Sequence, residues 1–102
     1  MDTTINDIAF QLILFAGNGK SFAMEAIQAA KKGDFESADN LIKKAGKELG
    51  QAHEFQTKLL QQEANGEANQ INVFLIHSQD HLMTALTLRD LAVEIIEIYR
   101  NK

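Results

Sequence analysis

Apolar residues recur along almost the whole chain at alternating steps of three and four, the spacing that lines one face of an α-helix. Ile5, Ile8, Leu12, Phe15, Gly19, Phe22, Ala26 and Ala29 form the first such stripe. It predicts a helix over about residues 4–32, with Asp2 or Thr3 as its cap and Gly33 at its end. Gly17-Asn18-Gly19 is the weak point, because a glycine in a helix interior costs about 1 kcal/mol. The stripe carries through it, so the expected structure is a continuous helix with another backbone packed close. Ala38, Leu41, Ala45, Leu49, Ala52, Phe55 and Leu59 form the second stripe. It predicts a helix over about residues 35–64, capped by Asp34 and stopped at Asn65-Gly66. The turn at Gly33-Asp34 is so short that these two helices must pair as an antiparallel hairpin.

The third helix is predicted over about residues 69–100 and carries two stripes. Ile71, Phe74, Ser78, His81, Ala85, Leu88, Ala92, Ile95 and Tyr99 follow a seven-residue seam. Leu75, Leu82, Leu86, Val93 and Ile96 run beside it. That is more apolar width than docking on a hairpin requires. Each helix is about 45 Å long at 1.5 Å per residue, so the bundle is thin and its core is one line of side chains. The expected architecture is an all-α, antiparallel three-helix bundle in a single domain over residues 1–102. The third helices are expected at the centre of a homo-oligomer.

Composition narrows the function. The chain of 102 residues is 45% hydrophobic and 24% charged, a globular balance. It has neither Pro nor Cys, which excludes a disulfide framework, a thiolate metal site and a thiol nucleophile. A net charge of −4, with no basic stripe, argues against nucleic-acid binding. The apolar run Leu12-Ile13-Leu14-Phe15-Ala16 is far too short to span a bilayer. No basic segment leads into a cleavable apolar stretch. A soluble, cytoplasmic protein is expected.

The chemistry concentrates in His77-Ser78-Gln79-Asp80-His81-Leu82-Met83. His77 lies one helical turn from Asp80 and from His81. Imidazole serves as nucleophile, acid–base group or metal ligand near neutral pH. Plainer roles stand beside these: His77 as a surface histidine bonded to water, and His81, on the seam, as a neutral core histidine satisfied by a neighbour. Asp80 is harder to explain so simply, although an exposed carboxylate on the bundle edge is also compatible with the periodicity. If the third helices meet on a symmetry axis, a carboxylate facing that axis meets its own copies and needs protonation, water or a cation. His77 and His81 form a minimal chelating pair, but the set lacks the Glu of a zinc protease, and His53 on the second helix has no fixed place beside it. Gly17-Asn18-Gly19-Lys20-Ser21 lacks the spacing of a phosphate-binding loop and sits inside a helical pattern.

Five segments stand in order along the chain: Phe15-Ala16-Gly17-Asn18-Gly19-Lys20-Ser21, Met24-Glu25-Ala26-Ile27, Lys32-Gly33-Asp34-Phe35, Ala52-His53-Glu54-Phe55-Gln56-Thr57 and the His77–Met83 motif. Together they resemble the lactose/cellobiose family of enzyme IIA proteins of the bacterial phosphoenolpyruvate-dependent sugar phosphotransferase system. The resemblance runs from Ile8 to Tyr99. Ser78 and Gly19 both stand where Ala is common in that family. The resemblance implies a three-helix bundle assembled as a homotrimer, and a phosphohistidine carrier rather than a stand-alone enzyme. It implies that His77 takes a phosphoryl group from HPr and passes it to a cysteine of enzyme IIB. The membrane is then reached only through the IIB/IIC permease, and the cargo is a β-linked disaccharide of the cellobiose, chitobiose or lactose type. Gln79 and His81 are candidates for positioning the phosphoryl group. Asp80 is expected at the trimer axis, where a divalent cation, Mg2+, would be structural. The acidic surface leads to the expectation that stabilising positive charge comes largely from the partner. The competing expectation is a non-catalytic helical bundle that binds or regulates a partner through its apolar stripes.

Overall fold

A computed structural model describes residues 5–67 and 71–102. These build three helices: α1 (Ile5–Lys31), α2 (Phe35–Ala64) and α3 (Val73–Arg100). Among the described residues there is no strand. The molecule is a rod of 51 × 22 × 21 Å, as a bundle with a single line of core side chains must be.

Local signals set the helix ends. Gly33 has φ +80, a left-handed conformation that glycine adopts without penalty, and it stops α1. Asp34 follows at once, and its carboxylate accepts a 3.1 Å bond from the Ser37 N–H. The Ser37 hydroxyl first, and its N–H second, stabilise the charged form and hold the carboxyl below its ordinary pKa. The α1–α2 connection is therefore the tight antiparallel turn that the sequence implies. The caps expected at Asp2 or Thr3 lie outside the described residues, as do the first residues expected of the third helix, Asn69 and Gln70. Within the described part, α3 starts later than expected. Asn72 is in an extended conformation and its side chain accepts from the Leu75 N–H at 2.8 Å, so Val73 is the first helical residue. Ile71, expected on the seam, precedes the cap and is exposed.

α1 is the middle of the bundle. It packs extensively on both other helices, whereas α2 and α3 touch one another much less. Its buried face is mostly small: Ala9, Ala16, Gly19, Ala23, Ala26 and Ala30, with Ile8, Leu12 and Ile27. Small residues let two helices come close to a third. At Gly19 an added Cβ would stand 2.6 Å from the Leu49 side chain, so α1 is continuous through its glycines and α2 packs against that point. Larger side chains fill one end, where Ile8, Leu12, Leu49, Leu59 and Leu82 cluster and Phe15 stacks on Phe55 with centroids 6.0 Å apart. α3 runs parallel to α1. Asn72 donates to Asn6 near one end, and Arg100 pairs with Asp39 of α2 near the other.

The core face of α3 differs from the expected seam. Ser78, Leu82, Ala85, Ala92 and Ile96 are buried, so the core falls on the boundary between the two predicted stripes and uses both. His81, expected on the seam, is only half-buried. A separate row remains open to solvent: Ile76, Met83, Leu91 and Ile98, each more than half exposed. α1 adds exposed Phe10, Leu14 and Met24.

Gly33 and Gly50 give opposite expectations for the same change. Gly33→Ala should destabilise the protein by about 1–2 kcal/mol, the cost of a side chain in the left-handed region. Gly50 lies within α2 with nothing near an added Cβ, so Gly50→Ala should stabilise by about 0.5–1 kcal/mol. Urea unfolding of the two variants checks both signs.

Candidate functional site

Ser78 fixes the orientation of the site. It is fully buried, and its hydroxyl donates to the Leu75 carbonyl one turn back at 2.6 Å. The hydroxyl is satisfied within its own helix, which is how a polar residue occupies a core position. With residue 78 turned inward, the helical advance of 100° per residue swings His77 to the outside. His77 is exposed there.

His81 stands one turn further along and meets it. Their Nε2 atoms are 3.1 Å apart, and the rings meet edge to face with centroids 4.5 Å apart. In this contact one ring donates an N–H and the other accepts it. Asp80 is exposed and lies beside the pair. Among the described residues no Lys or Arg comes within ion-pair distance of its carboxylate. Thr84 donates to the Asp80 main-chain carbonyl at 2.7 Å, which leaves the carboxylate itself untied. His77, Asp80, His81 and Thr84 line an open cavity of about 270 Å3, and Lys20 of α1 closes its other side.

Three of the residues expected at the site are thus brought together: His77, Asp80 and His81. Gln79 is not with them. It is half-buried, its side-chain oxygen accepts a 2.9 Å bond from the Gln56 amide, and it lines a different cavity between α2 and α3. His53 is also remote, in a groove with Arg89 and Asp90. Among the described residues no three His, Asp or Glu side chains converge as a metal site. One protomer therefore supplies no ligand set of the kind His77, Asp80 and His81 would form together. Lys20 was missed by sequence reasoning. Its only signal was the Gly19-Lys20-Ser21 stretch, correctly rejected as a phosphate-binding loop, and nothing in the pattern told which part of α3 it would face.

An exposed imidazole held by a second imidazole, with a cation across a shallow cavity, suits a group that must be reached by another macromolecule. Comparison with known proteins gives the family. Residues 7–100 match the sequence pattern of the lactose/cellobiose-specific IIA subunit of the PTS system. The chain belongs to this family. It is 50% identical over 101 residues to the lichenan-specific phosphotransferase enzyme IIA component of Bacillus subtilis, covering 99% of this chain and 92% of that protein. It is 42% identical to a lactose-specific EIIA component of Staphylococcus epidermidis, covering 92% of this chain and 90% of that protein. The crystal structure of the cellobiose-specific enzyme IIA from Bacillus anthracis superimposes with a TM-score of 0.94 at 52% identity, covering 99% of this chain and 93% of that one. The IIA(chitobiose) protein of Escherichia coli, solved in complex with HPr, gives a TM-score of 0.84 at 32% identity, covering 98% and 97%. This IIA component is accordingly a phosphotransferase-system protein with the family's three-helix fold. No helix among its described residues is long and apolar enough to cross a membrane.

Gln79→Ala tests the placement of that side chain. It breaks a part-buried bond and strands the Gln56 amide, so the unfolding free energy should fall by about 1 kcal/mol. Urea titration reads this directly; an unchanged midpoint would place Gln79 elsewhere.

Proposed function

We propose that this IIA component carries a phosphoryl group on His77, receiving it from HPr and delivering it to a cysteine of a cognate enzyme IIB. The observation that carries the reading is the exposure of His77 beside His81, in a chain that matches the IIA family over residues 7–100. The E. coli relative was solved in complex with HPr, which supports HPr as a partner. A ring nitrogen of His77 attacks phosphorus in line, its N–P bond forms as the bond from phosphorus to the donor breaks, and the reverse step hands the group to a thiolate sulfur. Such a transfer asks for placement and charge stabilisation rather than for a deep pocket, because the docked partner covers the site.

The His77–His81 contact has a chemical use. If His81 donates its Nε2 proton, a phosphoryl group arriving on His77 Nε2 displaces that contact and its oxygens take over the N–H. His81 then positions the group. Gln79, bonded to Gln56 on another face, would serve by bracing α3 rather than by touching phosphorus.

The proposed assembly is a homotrimer. The row of Ile76, Met83, Leu91 and Ile98 is too apolar and too long to be left in water by a protein of this size. Asp80 falls in that row, between Ile76 and Met83, and has a free carboxylate. Three copies of it on a threefold axis would give an oxygen ligand set suited to a hard divalent cation such as Mg2+, whose chemistry there is neutralisation of the three charges. The sugar is proposed to be a β-linked glucose oligosaccharide, since the relatives at half identity bear the names lichenan and cellobiose. The place of action is the cytoplasm, with the membrane component of the system selecting the sugar.

Two expectations follow from the reading. With phosphoenolpyruvate, enzyme I and HPr, the protein should gain acid-labile phosphate, and His77→Ala, which stays folded because the position is exposed, should gain none. Retained label in that variant refutes the site. For the assembly, sedimentation should show a trimer for the parent chain. Leu91→Lys, which puts a charge into the buried row, should shift it to monomer at the same concentration; a parent chain that sediments as a monomer rules the trimer out.

A further inference from the structure

We propose that Lys20 is a catalytic residue of this IIA component, its ammonium group gripping the phosphoryl oxygens while the group is on His77. The proposal rests on the carrier reading above. Lys20 lines the same 270 Å3 cavity as His77, although 57 positions separate them in the chain and they come from different helices. Among the described residues it is the only Lys or Arg lining that cavity. Among the described residues no carboxylate lies within ion-pair distance of it, so its charge is not already committed.

The charge arithmetic of the site calls for such a group. A phosphoryl group brings up to two negative charges into a cavity that already holds the Asp80 carboxylate, on a chain of net charge −4. A cation across the cavity offsets this at the point where the charge arrives. Its position is not accidental to the packing. Gly19 is pressed against Leu49 of α2, and this fixes the rotation of α1. Residue 20, one step of 100° further, is turned away from that contact. Helical side chains lean back toward the N-terminus, which sends the long lysine stem along parallel α3 toward its early turns, where His77 is. A lysine suits a transient load better than an arginine would, because its point charge on a flexible stem can follow the group as it comes and goes. No proton leaves Lys20 in either step; it only pairs with oxygens as one bond to phosphorus forms and the other breaks.

The test is the rate of phosphoryl transfer from phospho-HPr to the intact protein by rapid quench, with 31P NMR of the phosphorylated form. Lys20→Met should slow transfer about tenfold, the modest end of what a charged donor contributes at an exposed site. It should also move the phosphorus resonance, which a merely structural effect would not. Lys20→Arg should restore most of the rate. Parental rate and parental resonance in Lys20→Met overturn the role of Lys20. So does a Lys20→Arg variant as slow as Lys20→Met with the resonance unmoved. His77→Ala run in parallel separates the two levels. If it takes no label, the carrier reading stands whatever Lys20 does; if it labels, that reading fails and the role of Lys20 with it.

Discussion

The structure depends on the close approach of two helices to the small-residue face of a third. Alanines and Gly19 on α1 let α2 and α3 both seat against it. This brings backbones together and leaves little volume between them, so few large side chains suffice to fill the core. It also has a cost in coverage. A helix bundle only one side chain thick cannot wrap its outer faces, and the far side of α3 is left with a row of apolar residues in water. The surface offered to the proposed trimer is therefore set by the same packing that builds the bundle.

That geometry also explains how the proposed carrier histidine can be displayed without a pocket. Ser78 is drawn fully into the core and holds its hydroxyl against its own helix. His77 must then project, and one turn later His81 is placed to meet it. The rigid element beneath the site is a long helix packed along its whole length. Precision comes from that backbone rather than from an enclosing cavity, and in the proposed transfer exclusion of water would be left to the protein that docks. A surface that has to serve two successive partners is better built this way, since an enclosing pocket fitted to one would obstruct the other.

Much of this was legible in the residues. Without Pro, and with unbroken steps of three and four, the three helices and the tight Gly33-Asp34 turn could hardly be read otherwise. His77, Asp80 and His81 share neighbouring faces because helix periodicity alone requires it. What the pattern does not hold is rotation between helices. The two stripes of α3 looked like separate surfaces. The core took the line between them, Ser78, Leu82, Ala85, Ala92 and Ile96, a rotation set by how α3 seats on α1. The surplus apolar surface then lay on Ile76, Met83, Leu91 and Ile98, which no simple stripe had picked out. Gln79 went to Gln56 for the same reason: its direction is set by how α3 turns against α2. Lys20 faces the His77 cavity through a register between α1 and α3 that no local rule contains.

One residue links assembly to chemistry. Asp80 lines the His77 cavity and also sits in the exposed apolar row, between Ile76 and Met83. In the proposed trimer, a neighbour that covers Ile76 and Met83 must pass beside Asp80 and so come close to the cavity wall. Burial of the row then raises the local strength of every charge there, because a lower dielectric weakens screening. The carboxylates of three copies become costly unless neutralised, and a cation facing the histidine becomes more valuable. A phosphate-bearing histidine at the edge of such an interface is accordingly sensitive to how the copies meet, although no residue of the apolar row touches phosphorus. In that assembly the row that hides surface would also set the electrostatic environment of the imidazole.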